Sequence, residues 1–487
     1  LIYDCMVCAY LLEPLQDTYG YDYLLNRYFG IQTESGTELA GKKSMDGLAM
    51  EEPDKLERIL ASEALTAVMA GPELEKELKE KKMYDLYRQI EYPLIYVLDD
   101  MEKAGVKIDE QALKQYSDEL AVKIHQIEQE IYAETGEEFN INSPKQLGII
   151  LFEKMGLKGG KKTKTGYSTS AEVLEKLAGD TPVVEKILEY RQLTKLKSTY
   201  ADGLRTFIAQ DGRIHGTFNQ TITATGRISS TDPNLQNIPI RMDIGKKIRE
   251  VFIPKEDYHF VDADYSQIEL RILAHMSEDQ HLIEAYNSEQ DIHRITAAKV
   301  FHVPFEEVTP ELRRSAKAVN FGIIYGKGAF SLGQDLGISR KEAEEYINAY
   351  FARYPKIKTF MEDTIKNGAK NGYVSTLWNR RRNMPELQSS NFMQRAAGER
   401  AAMNMPIQGT AADIIKLAMI KVHRALQEGG YRSRLILQVH DELLIEAYKE
   451  EKDAVAKILK ENMEHAADLL VPLDVDVHEG ASWFEAK

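Results

Sequence analysis

The sequence is short of cysteine and has no long apolar run. Only two cysteines occur in 487 residues, and no apolar stretch approaches the roughly 20 residues that a bilayer-spanning helix needs. Membrane insertion is therefore excluded. Cys5 and Cys8 have the C-x-x-C spacing of some zinc and redox sites, but further zinc ligands and thioredoxin-like surroundings do not appear nearby. We therefore expect free structural thiols.

The opening residues of the sequence do not have the pattern of a secretory leader. The chain starts at Leu1, and no basic segment followed by an apolar one opens it. With 43% hydrophobic and 29% charged residues, the composition is typical of globular proteins, and we expect a cytoplasmic fragment of a longer protein. A chain of 487 residues is too long for one ordinary core and predicts two to four domains.

Basic residues are outnumbered, with 62 Lys and Arg against 77 Asp and Glu, for a net charge of -15. Taken alone, this balance argues against nucleic acid, because phosphate neutralisation depends on Lys and Arg. The charge is uneven, however. Residues 145–249 hold 18 basic and 10 acidic residues, a local +8, and the remainder carries -23. A short run such as Lys161, Lys162 and Lys164 is usually a solvated loop, but the whole segment is basic within an acidic protein.

Helical patterns dominate the first half of the chain. Residues 1 to about 92 are helical and acidic and predict one small domain. From Glu91 the pattern predicts a continuous helical stretch to Ile131, and Asn142 to Pro144 opens another helix. Two long helices joined in this way predict an elongated arm. Its tip, residues 159–166, has turn residues and positive charge without an apolar period, so we expect it to be flexible.

The second half begins and ends with strand patterns. Residues 213–223 and 259–264 are β-like, 266 to about 430 are mostly helical, and 434–447 predict two strands folded about a tight turn at 440–441. If this late hairpin pairs with the early strand, the helical middle is an insertion standing on a small antiparallel sheet.

Two aspartates stand where strands end. Asp264 lies at the end of an apolar strand and Asp441 at the hairpin turn, and an acid in such a place is costly unless a cation or hydrogen-bond donors compensate it. Two such carboxylates converging from different strands suit Mg²⁺ better than zinc. The alternative is that either Asp caps a helix or closes a turn. Asp262 is a further candidate, because strand alternation puts it on the same face as Asp264.

A predicted helix from Pro310 to Gly326 carries cations at one end and aromatic rings at the other. Four residues follow one another at intervals of four, and the first three lie within about 80° of one face. This arrangement is suited to holding a triphosphate while a base or sugar stacks on a ring, although such a stripe alone is more often a solvated face running into core. The four residues are Arg313, Lys317, Phe321 and Tyr325.

Together these segments resemble family A DNA polymerases of the bacterial DNA polymerase I large-fragment type. Residues 264–271 (DYSQIELR) are similar to the family's first motif, 313–326 to its second and 438–442 (QVHDE) to its third. Residues 223–239 and 405–415 also match family segments. The resemblance implies an α+β multidomain right hand with an antiparallel-sheet palm, helical fingers and helical thumb. It divides the chain into 1–92, a partial 3′-5′ exonuclease-like domain; 93–212, thumb; 213–280, first part of the palm; 281–404, fingers; and 405–487, second part of the palm.

The resemblance implies a role for each residue of the reaction site. It selects Asp264 over Asp262 as metal ligand and adds Asp441, the carbonyl of Tyr265, and Glu442 in a lesser role. Two Mg²⁺ ions, which Mn²⁺ can replace, would be held there. Glu269 would block a ribose 2′-OH. The triphosphate, sugar and base of a dNTP would be bound by Arg313, Lys317, His293, Phe321, Tyr325 and Gln267.

Further positions match residues that contact primer and template. Arg227 and Gln408 would read minor-groove acceptors, which occur in every Watson-Crick pair and therefore report pair shape without sequence. The basic segment would grip duplex phosphates. The remaining predicted contacts are Asn234, Gln236, Asn237, Arg400, Asn404 and His440, with Lys161, Lys162 and Lys164 at the tip.

The resemblance thus predicts dNTP addition to a primer 3′-OH, in a monomer that binds primer-template DNA and no membrane. Two alternatives stay open at this point: a single-subunit RNA polymerase, which Glu269 disfavours, and a duplex-binding or scaffold protein without catalysis. Residues 1–90 are similar to the second half of an exonuclease domain, with Tyr3 to Met6 matching a structural segment. The stretch Leu56–Leu65 lacks the Tyr-x3-Asp that such a site needs, and the upstream half of the site is absent from this sequence, so we expect no proofreading.

Overall fold

The computed structural model describes residues 3–160, 162–164, 166–179, 181–239, 243–288 and 290–487. This part of the chain is mostly helical and contains one four-stranded and four two-stranded sheets, which confirms the α+β class with small sheets. None of its helices has the length and apolar character needed to cross a bilayer.

The N-terminal region is helical, as predicted. Asp4 caps the first helix by accepting a hydrogen bond from the Val7 amide at 2.9 Å, and Ser35 and Glu38 form a reciprocal capping box on the third. Cys5 and Cys8 are free, as expected, and burial raises the pKa of the Cys5 thiol to about 11. The helices are α1 (Cys5–Leu12), α2 (Tyr21–Phe29), α3 (Gly36–Ala40), α4 (Met45–Glu51), α5 (Pro53–Glu80), α6 (Tyr84–Leu86) and, after a π-helical turn (Tyr87–Glu91), α7 (Tyr92–Ala104).

The next region has helices separated by very short strands. Ser143 caps a helix that begins at Pro144, as the sequence predicts, while the basic tip forms a minimal hairpin in which Lys162 pairs with Tyr167. The elements are β1 (Val106–Lys107), α8 (Glu110–Thr135), α9 (Pro144–Gly148), β2 (Lys162–Thr163), β3 (Gly166–Tyr167), α10 (Ala171–Ala178), α11 (Pro182–Lys195), β4 (Arg213–Ile214), β5 (Thr217–Asn219), β6 (Ser229–Thr231) and α12 (Asp243–Lys246).

The predicted continuous helical stretch from Glu91 to Ile131 is wrong. The helix stops at Ala104, and Gly105 follows with a φ of +60°, a conformation that glycine adopts at little cost. Val106 then pairs with Ile214 in a two-stranded sheet, and a new helix starts after Asp109, whose side chain accepts from the Ala112 amide at 2.9 Å. The helical pattern on both sides hid a two-residue strand whose partner lies over 100 residues away.

The C-terminal region alternates strands with the longest helices. The predicted helix at 310–326 is present and ends at Ile324. The elements are β7 (Tyr258–Tyr265), α13 (Ile268–Ser277), α14 (Gln280–Asn287), α15 (Ile292–Val300), α16 (Pro310–Ile324), α17 (Ala329–Leu336), α18 (Arg340–Arg353), α19 (Pro355–Asn371), β8 (Tyr373–Ser375), β9 (Arg381–Asn383), α20 (Phe392–Glu428), β10 (Arg434–Val439), β11 (Glu442–Tyr448), α21 (Lys452–Glu464) and β12 (Val475–Gly480).

The predicted late hairpin is present and pairs with the earlier strand. β10 and β11 are antiparallel, with Val439 opposite Glu442, and the four-stranded sheet has the order β10-β11-β7-β12. The turn between them contains His440 at a φ of +53°, and the Gln438 side chain donates to the His440 carbonyl at 2.5 Å. Nearly every residue of β10 and β11 is buried, so the hairpin is part of the core, and its turn is the place where the chain reaches solvent.

The chain divides into two compact units. The first comprises the chain up to Lys103, Phe218–Thr231 and Val261–His478, and it contains most of the four-stranded sheet. The second comprises Ala104–Thr217, Asp232–Phe260 and Glu479–Lys487. In the second unit Trp483 is fully buried and packs edge-on against Phe252, with ring centroids 5.3 Å apart. The five-part domain division stays a prediction.

Candidate active site

The two predicted metal-binding aspartates meet at one end of the four-stranded sheet. β7 and β11 are neighbours, and the Tyr265 amide donates to the Asp441 carbonyl at 3.1 Å. This bond joins the end of β7, just after Asp264, to the hairpin turn. Asp264 and Asp441 are both partly exposed. The fold therefore brings together two carboxylates that are 177 positions apart in the sequence.

Exposure distinguishes Asp264 from its alternative. Asp262 is only 1% exposed and lies in the middle of buried β7, whereas Asp264 is half-buried at the strand's end. A ligand arriving from solvent reaches Asp264 first. Among the described residues, no three His, Cys, Asp or Glu side chains are grouped to hold a metal ion. Two aspartates leave most coordination positions to phosphate oxygens and water, which is the set that Mg²⁺ prefers.

Of the residues next to the two aspartates, Tyr265 and Glu442 are buried in the core and His440 is exposed. The Tyr265 hydroxyl donates to the Met463 carbonyl at 2.7 Å, and burial raises its pKa well above the usual value. Glu442 is 2% exposed in β11, while His440 is exposed at the turn. Of these three predicted site residues, only His440 therefore presents its side chain to solvent.

Glu269 on α13 is the centre of the site's hydrogen bonding. It is 5% exposed, and its two carboxylate oxygens accept from Arg227 and from the Tyr325 hydroxyl, each at 3.0 Å. Burial and the charges of Glu269 and Asp441 raise the pKa of Tyr325. Glu269 therefore ties the loop before β6 to Tyr325 at the end of α16.

The predicted cation and ring face of α16 is present. Arg313 and Lys317 are exposed, and Arg313 Nε donates to Asp291 Oδ2 at 2.6 Å. The ring of Phe321 lies 6.4 Å from that of Tyr325 at an interplanar angle of 22°, and Lys317 Nζ lies 6.0 Å from the Phe321 centroid. The positive charges therefore precede a stacked aromatic pair along one helix, as the spacing predicts.

His293 on α15 is buried beside this face. Its ring lies 6.0 Å from that of Phe321, and burial, reinforced by the charge of Arg313, lowers its pKa to about 4. The Asn320 amide group lies 2.8 Å from His293 Nδ1. With the Asn320 amide oriented so that its NH₂ faces the ring, Nδ1 accepts and the ring hydrogen is on Nε2. His293 is therefore a neutral donor at pH 7 and not a cation.

The remaining predicted residues of the first unit lie around this centre. Gln267 precedes α13 with a φ of +57°, and its Oε1 accepts from the Tyr286 hydroxyl at 3.2 Å. Gln408 is half-buried in α20. At the next residue, Gly409, the backbone is so close to the loop that a Cβ atom added there would lie 3.0 Å from the Thr225 carbonyl oxygen. α20 and the loop that carries Arg227 are therefore in direct contact. Earlier in α20, Arg400 is exposed and Asn404 is half-buried.

Other predicted DNA contacts belong to the second unit. The Asn234 side chain accepts from the Gln236 amide at 3.1 Å, and the Asn237 carbonyl accepts from the Tyr200 hydroxyl at 2.6 Å. These bonds fix a short 3-10 turn, Leu235–Asn237. In the tip hairpin, Lys162 and Lys164 are exposed, and Lys161 lies outside the described residues. The DNA-binding roles of all these residues stay predictions.

Sequence reasoning missed a group of ionic residues next to the site. Glu91, Arg380, Asp413 and Lys416 are at most 2% exposed and are bonded to one another. Asp413 lies within the matched segment 405–415, but the charge pattern alone predicts solvated side chains for the others. A run of like charge such as 380–382 does not indicate which of its members is buried.

The sheet end leads into α13, whose Glu269 bonds the loop that carries Arg227 to Tyr325 at the end of α16. The chain belongs to DNA polymerase family A, whose family model matches residues 110–485. Along its length it is similar to the DNA polymerase I of Caldicellulosiruptor bescii, 50% identical over 99% of this chain, and to that of Bacillus subtilis, 49% identical over 100%. The chain spans 55% of each relative, about half its length.

A solved structure is similar over almost the whole chain. It is the POL domain of Pol1 from M. smegmatis in complex with DNA primer-template and dNTP. The TM-score is 0.91 at 42% sequence identity, and the match covers 99% of this chain and 82% of that one.

Proposed function

We propose that the chain is a template-directed DNA polymerase that adds dNTPs to a primer 3′-OH and releases pyrophosphate. The observation that carries the proposal is the meeting of Asp264 and Asp441 at one sheet end, where β7 leads into α13 and its Glu269 bonds to Tyr325 at the end of α16. The presence of primer-template and dNTP in the similar solved structure supports the same substrates here.

Two Mg²⁺ ions, which Mn²⁺ can replace, are proposed as cofactors. Asp264 and Asp441 would hold them, with the Tyr265 carbonyl as a further ligand. The two carboxylates fit because they are partly exposed and hard oxygen donors. Glu442 has the lesser part, because it is almost fully buried. When bound, the ions would lower the pKa of the primer hydroxyl and stabilise the departing pyrophosphate.

The α16 face would bind the incoming triphosphate. Arg313 and Lys317 would contact phosphate oxygens, and Lys317 would offset charge on the leaving group and donate a proton to it. His293 would donate a hydrogen bond through Nε2 as a neutral group. Arg313 is already bonded to Asp291, so it must release or share that acid when phosphate arrives. This exchange is consistent with α16 closing over a correctly paired nucleotide.

Sugar and base would pack against the aromatic end of the same face. Phe321 and Tyr325 supply the rings, and Gln267 lies at the start of α13 nearby. Glu269 would exclude a ribose 2′-OH, because its carboxylate is buried and already accepts from Arg227 and Tyr325. The site would therefore prefer deoxynucleotides.

The protein would recognise correct base pairs in duplex DNA by their shape. Arg227 and Gln408 would donate to minor-groove acceptors that all four base pairs share, so fidelity would not depend on sequence. Arg400, Asn404 and His440 would contact primer or template. In the second unit, the proposed contacts to DNA are Asn234, Gln236, Asn237, Lys161, Lys162 and Lys164.

The finer assignments follow from this function. We assign the palm, fingers and thumb of a right-hand polymerase to the segments predicted from the sequence, and residues 1–92 to an exonuclease-like domain without proofreading activity. We further propose that the protein acts as a cytoplasmic, nucleoid-associated monomer in replication and repair. A time course that shows metal-dependent removal of a mismatched 3′ nucleotide by this chain would overturn the exonuclease assignment.

The test of the reaction site is Asp441→Ala in a primer-extension assay with and without Mg²⁺. We expect the variant to lose extension while its affinity for primer-template stays unchanged, because the Asp441 carbonyl that accepts from Tyr265 is retained. The matched control is Asp476→Ala, an exposed aspartate on β12 of the same sheet, which should extend like the parent. Near-normal extension by Asp441→Ala would contradict the assignment.

A further inference from the structure

A fully buried ionic cluster lies behind the loop that carries Arg227. The cluster consists of Glu91, Arg380, Asp413 and Lys416, none more than 2% exposed. Lys416 Nζ donates to Glu91 at 2.6 Å, Arg380 Nε donates to Asp413 at 2.8 Å, and Arg380 also donates to Glu91. The formal charges cancel. Burial by itself would raise the pKa of Glu91, but Lys416 and Arg380 lower it to about 2.

The cluster touches the loop directly. At Gly226, which has a φ of +87°, a Cβ would lie 2.7 Å from Arg380 Cδ and 2.8 Å from its Cζ, so the guanidinium packs on the bare backbone next to Arg227. Before the loop, the Gln220 side chain donates to both the carbonyl and the carboxylate of Glu91, at 3.0 and 2.7 Å. The cluster therefore contacts the chain on either side of residues 223–225.

The N-terminal helix α1 holds the same loop from another side. Tyr10 is 1% exposed, and its hydroxyl donates to the Thr223 carbonyl at 2.6 Å. Thr223 in turn donates through its side chain to the Arg227 carbonyl at 2.7 Å, which closes the loop on itself. Glu91 also comes from the N-terminal region, where it ends a π-helical turn, and such turns often mark functional positions.

We propose that Tyr10 and the buried ionic cluster are positioning residues that hold loop 223–227 in the conformation from which Arg227 bonds to Glu269. Beyond its predicted likeness to an exonuclease domain, the N-terminal region thereby supports the proposed reading of the minor groove. This inference rests on the proposed polymerase function, because the pair-reading role of Arg227 belongs to it.

The first test is a matched pair of tyrosine variants. Tyr10→Phe removes the bond to Thr223 and keeps the ring. Tyr19→Phe is the control, because Tyr19 is also buried and its hydroxyl donates to a backbone carbonyl, that of Glu13, at 2.7 Å. Hydrogen exchange of backbone amides 223–227 in the free protein should accelerate roughly 10-fold in Tyr10→Phe and not in Tyr19→Phe. Equal exchange in the two variants would overturn the proposal, whether or not the protein extends primers.

The second test measures the proposed hydrogen bond from Arg227 to the minor-groove acceptor of the primer's terminal base. A primer ending in 3-deaza-dG lacks the N3 acceptor, so the parent should extend it on the order of 10-fold more slowly than a primer ending in dG, the loss expected for one charge-assisted hydrogen bond. The deaza ratio is the extension rate of the dG primer divided by that of the 3-deaza-dG primer. In Tyr10→Phe the deaza ratio should fall toward one, as it should in Arg227→Ala. A ratio in Tyr10→Phe equal to that of the parent contradicts positioning. A parent that extends neither primer refutes the proposed function, while hydrogen exchange still decides on the loop.

A charge-balanced double variant separates positioning from simple stability. Glu91→Gln leaves an excess buried charge and should lower the melting temperature, whereas Glu91→Gln combined with Lys416→Met restores neutrality and should recover much of it. Because Arg380 still lacks its Glu91 acceptor, the deaza ratio should stay low in both the single and the double variant. A ratio that returns together with the melting temperature would show a merely structural role and overturn the proposal.

Discussion

The buried ionic cluster and the cation-bearing face of α16 use the same kinds of side chain in opposite surroundings. In the cluster, each charge is out of water and bonded to charges within the protein. On α16, Lys317 is exposed and the Arg313 side chain is 46% exposed with one acid partner. Buried pairs are costly to break, whereas exposed pairs contribute little to stability. The cluster is therefore suited to fixing backbone, and the α16 face to exchanging partners with a ligand.

The largest effect should come from breaking the cluster. Lys416→Ala leaves Glu91 with one cation fewer in a fully buried place, and we expect the free energy of unfolding to fall by about 3–5 kcal/mol, as measured by urea denaturation. Lys421→Ala, on the exposed side of the same helix, is the control and should change it by less than about 0.5 kcal/mol. A loss below about 1 kcal/mol in Lys416→Ala would mean that the cluster is not a stabilising core element.

The α16 face should behave in the opposite way. Arg313→Ala should leave the free energy of unfolding within about 0.5 kcal/mol of the parent and lower kcat/KM for dNTP roughly 100-fold, because a charge-assisted contact to phosphate is lost. Arg314→Ala, the exposed neighbour on the same helix, should retain near-parental kinetics. The contrast between the cluster and the α16 face would be contradicted if Arg313→Ala destabilised the fold as much as Lys416→Ala does, or if both α16 variants had equal kinetics.

Glu269 lies between the two extremes, buried itself but bonded to the partly exposed Arg227 and Tyr325. Glu269→Ala should increase the ratio of rNTP to dNTP incorporation on the order of 10- to 30-fold, because the carboxylate no longer blocks the 2′ position. Glu269→Gln keeps the side-chain volume and should change this ratio less. Single-nucleotide insertion kinetics measure both, and an unchanged ratio in Glu269→Ala would remove the residue from sugar selection.

The smallest expected effect is a pH dependence from His293. Burial and the charge of Arg313 lower its pKa to about 4, against about 6.5 in an unfolded chain. Between these values the unfolded state binds more protons, so the free energy of unfolding falls as pH falls through this window and is unaffected above it. We expect a loss of about 1–2 kcal/mol from pH 7 to 5 that is absent in His293→Gln. Identical pH profiles for the two proteins would contradict a buried neutral His293.

Local sequence patterns were sufficient to predict the hairpin and the helix that carry the reaction site. The hairpin at 434–448 and helix α16 have strong apolar periods bounded by turn or capping residues, so their type and approximate bounds follow from the sequence. The contact of that hairpin with β7 could be stated only as a condition, because pairing between strands far apart in the chain has no local signal. The choice of Asp264 over Asp262 came from the family motif and stays a prediction; in the structure Asp264 is the more exposed of the two.

What the sequence could not predict are features created by distant partners. Gly105 ends a helix because the two residues after it pair with β4, and neither side of the break differs in helical pattern. The cluster joins residues up to 325 positions apart, and Glu91, Arg380 and Lys416 each resemble an ordinary surface charge in the sequence. The neutral state of His293 likewise depends on burial, which its position in α15 alone does not indicate.

The most direct test of the central claim is single-turnover insertion on a defined primer-template with each of the four dNTPs supplied separately in Mg²⁺. We expect only the complementary nucleotide to be added efficiently, and the preferred nucleotide to change with the template base. No extension by the parent protein, or addition that ignores the template base, would contradict a template-directed polymerase built on Asp264 and Asp441.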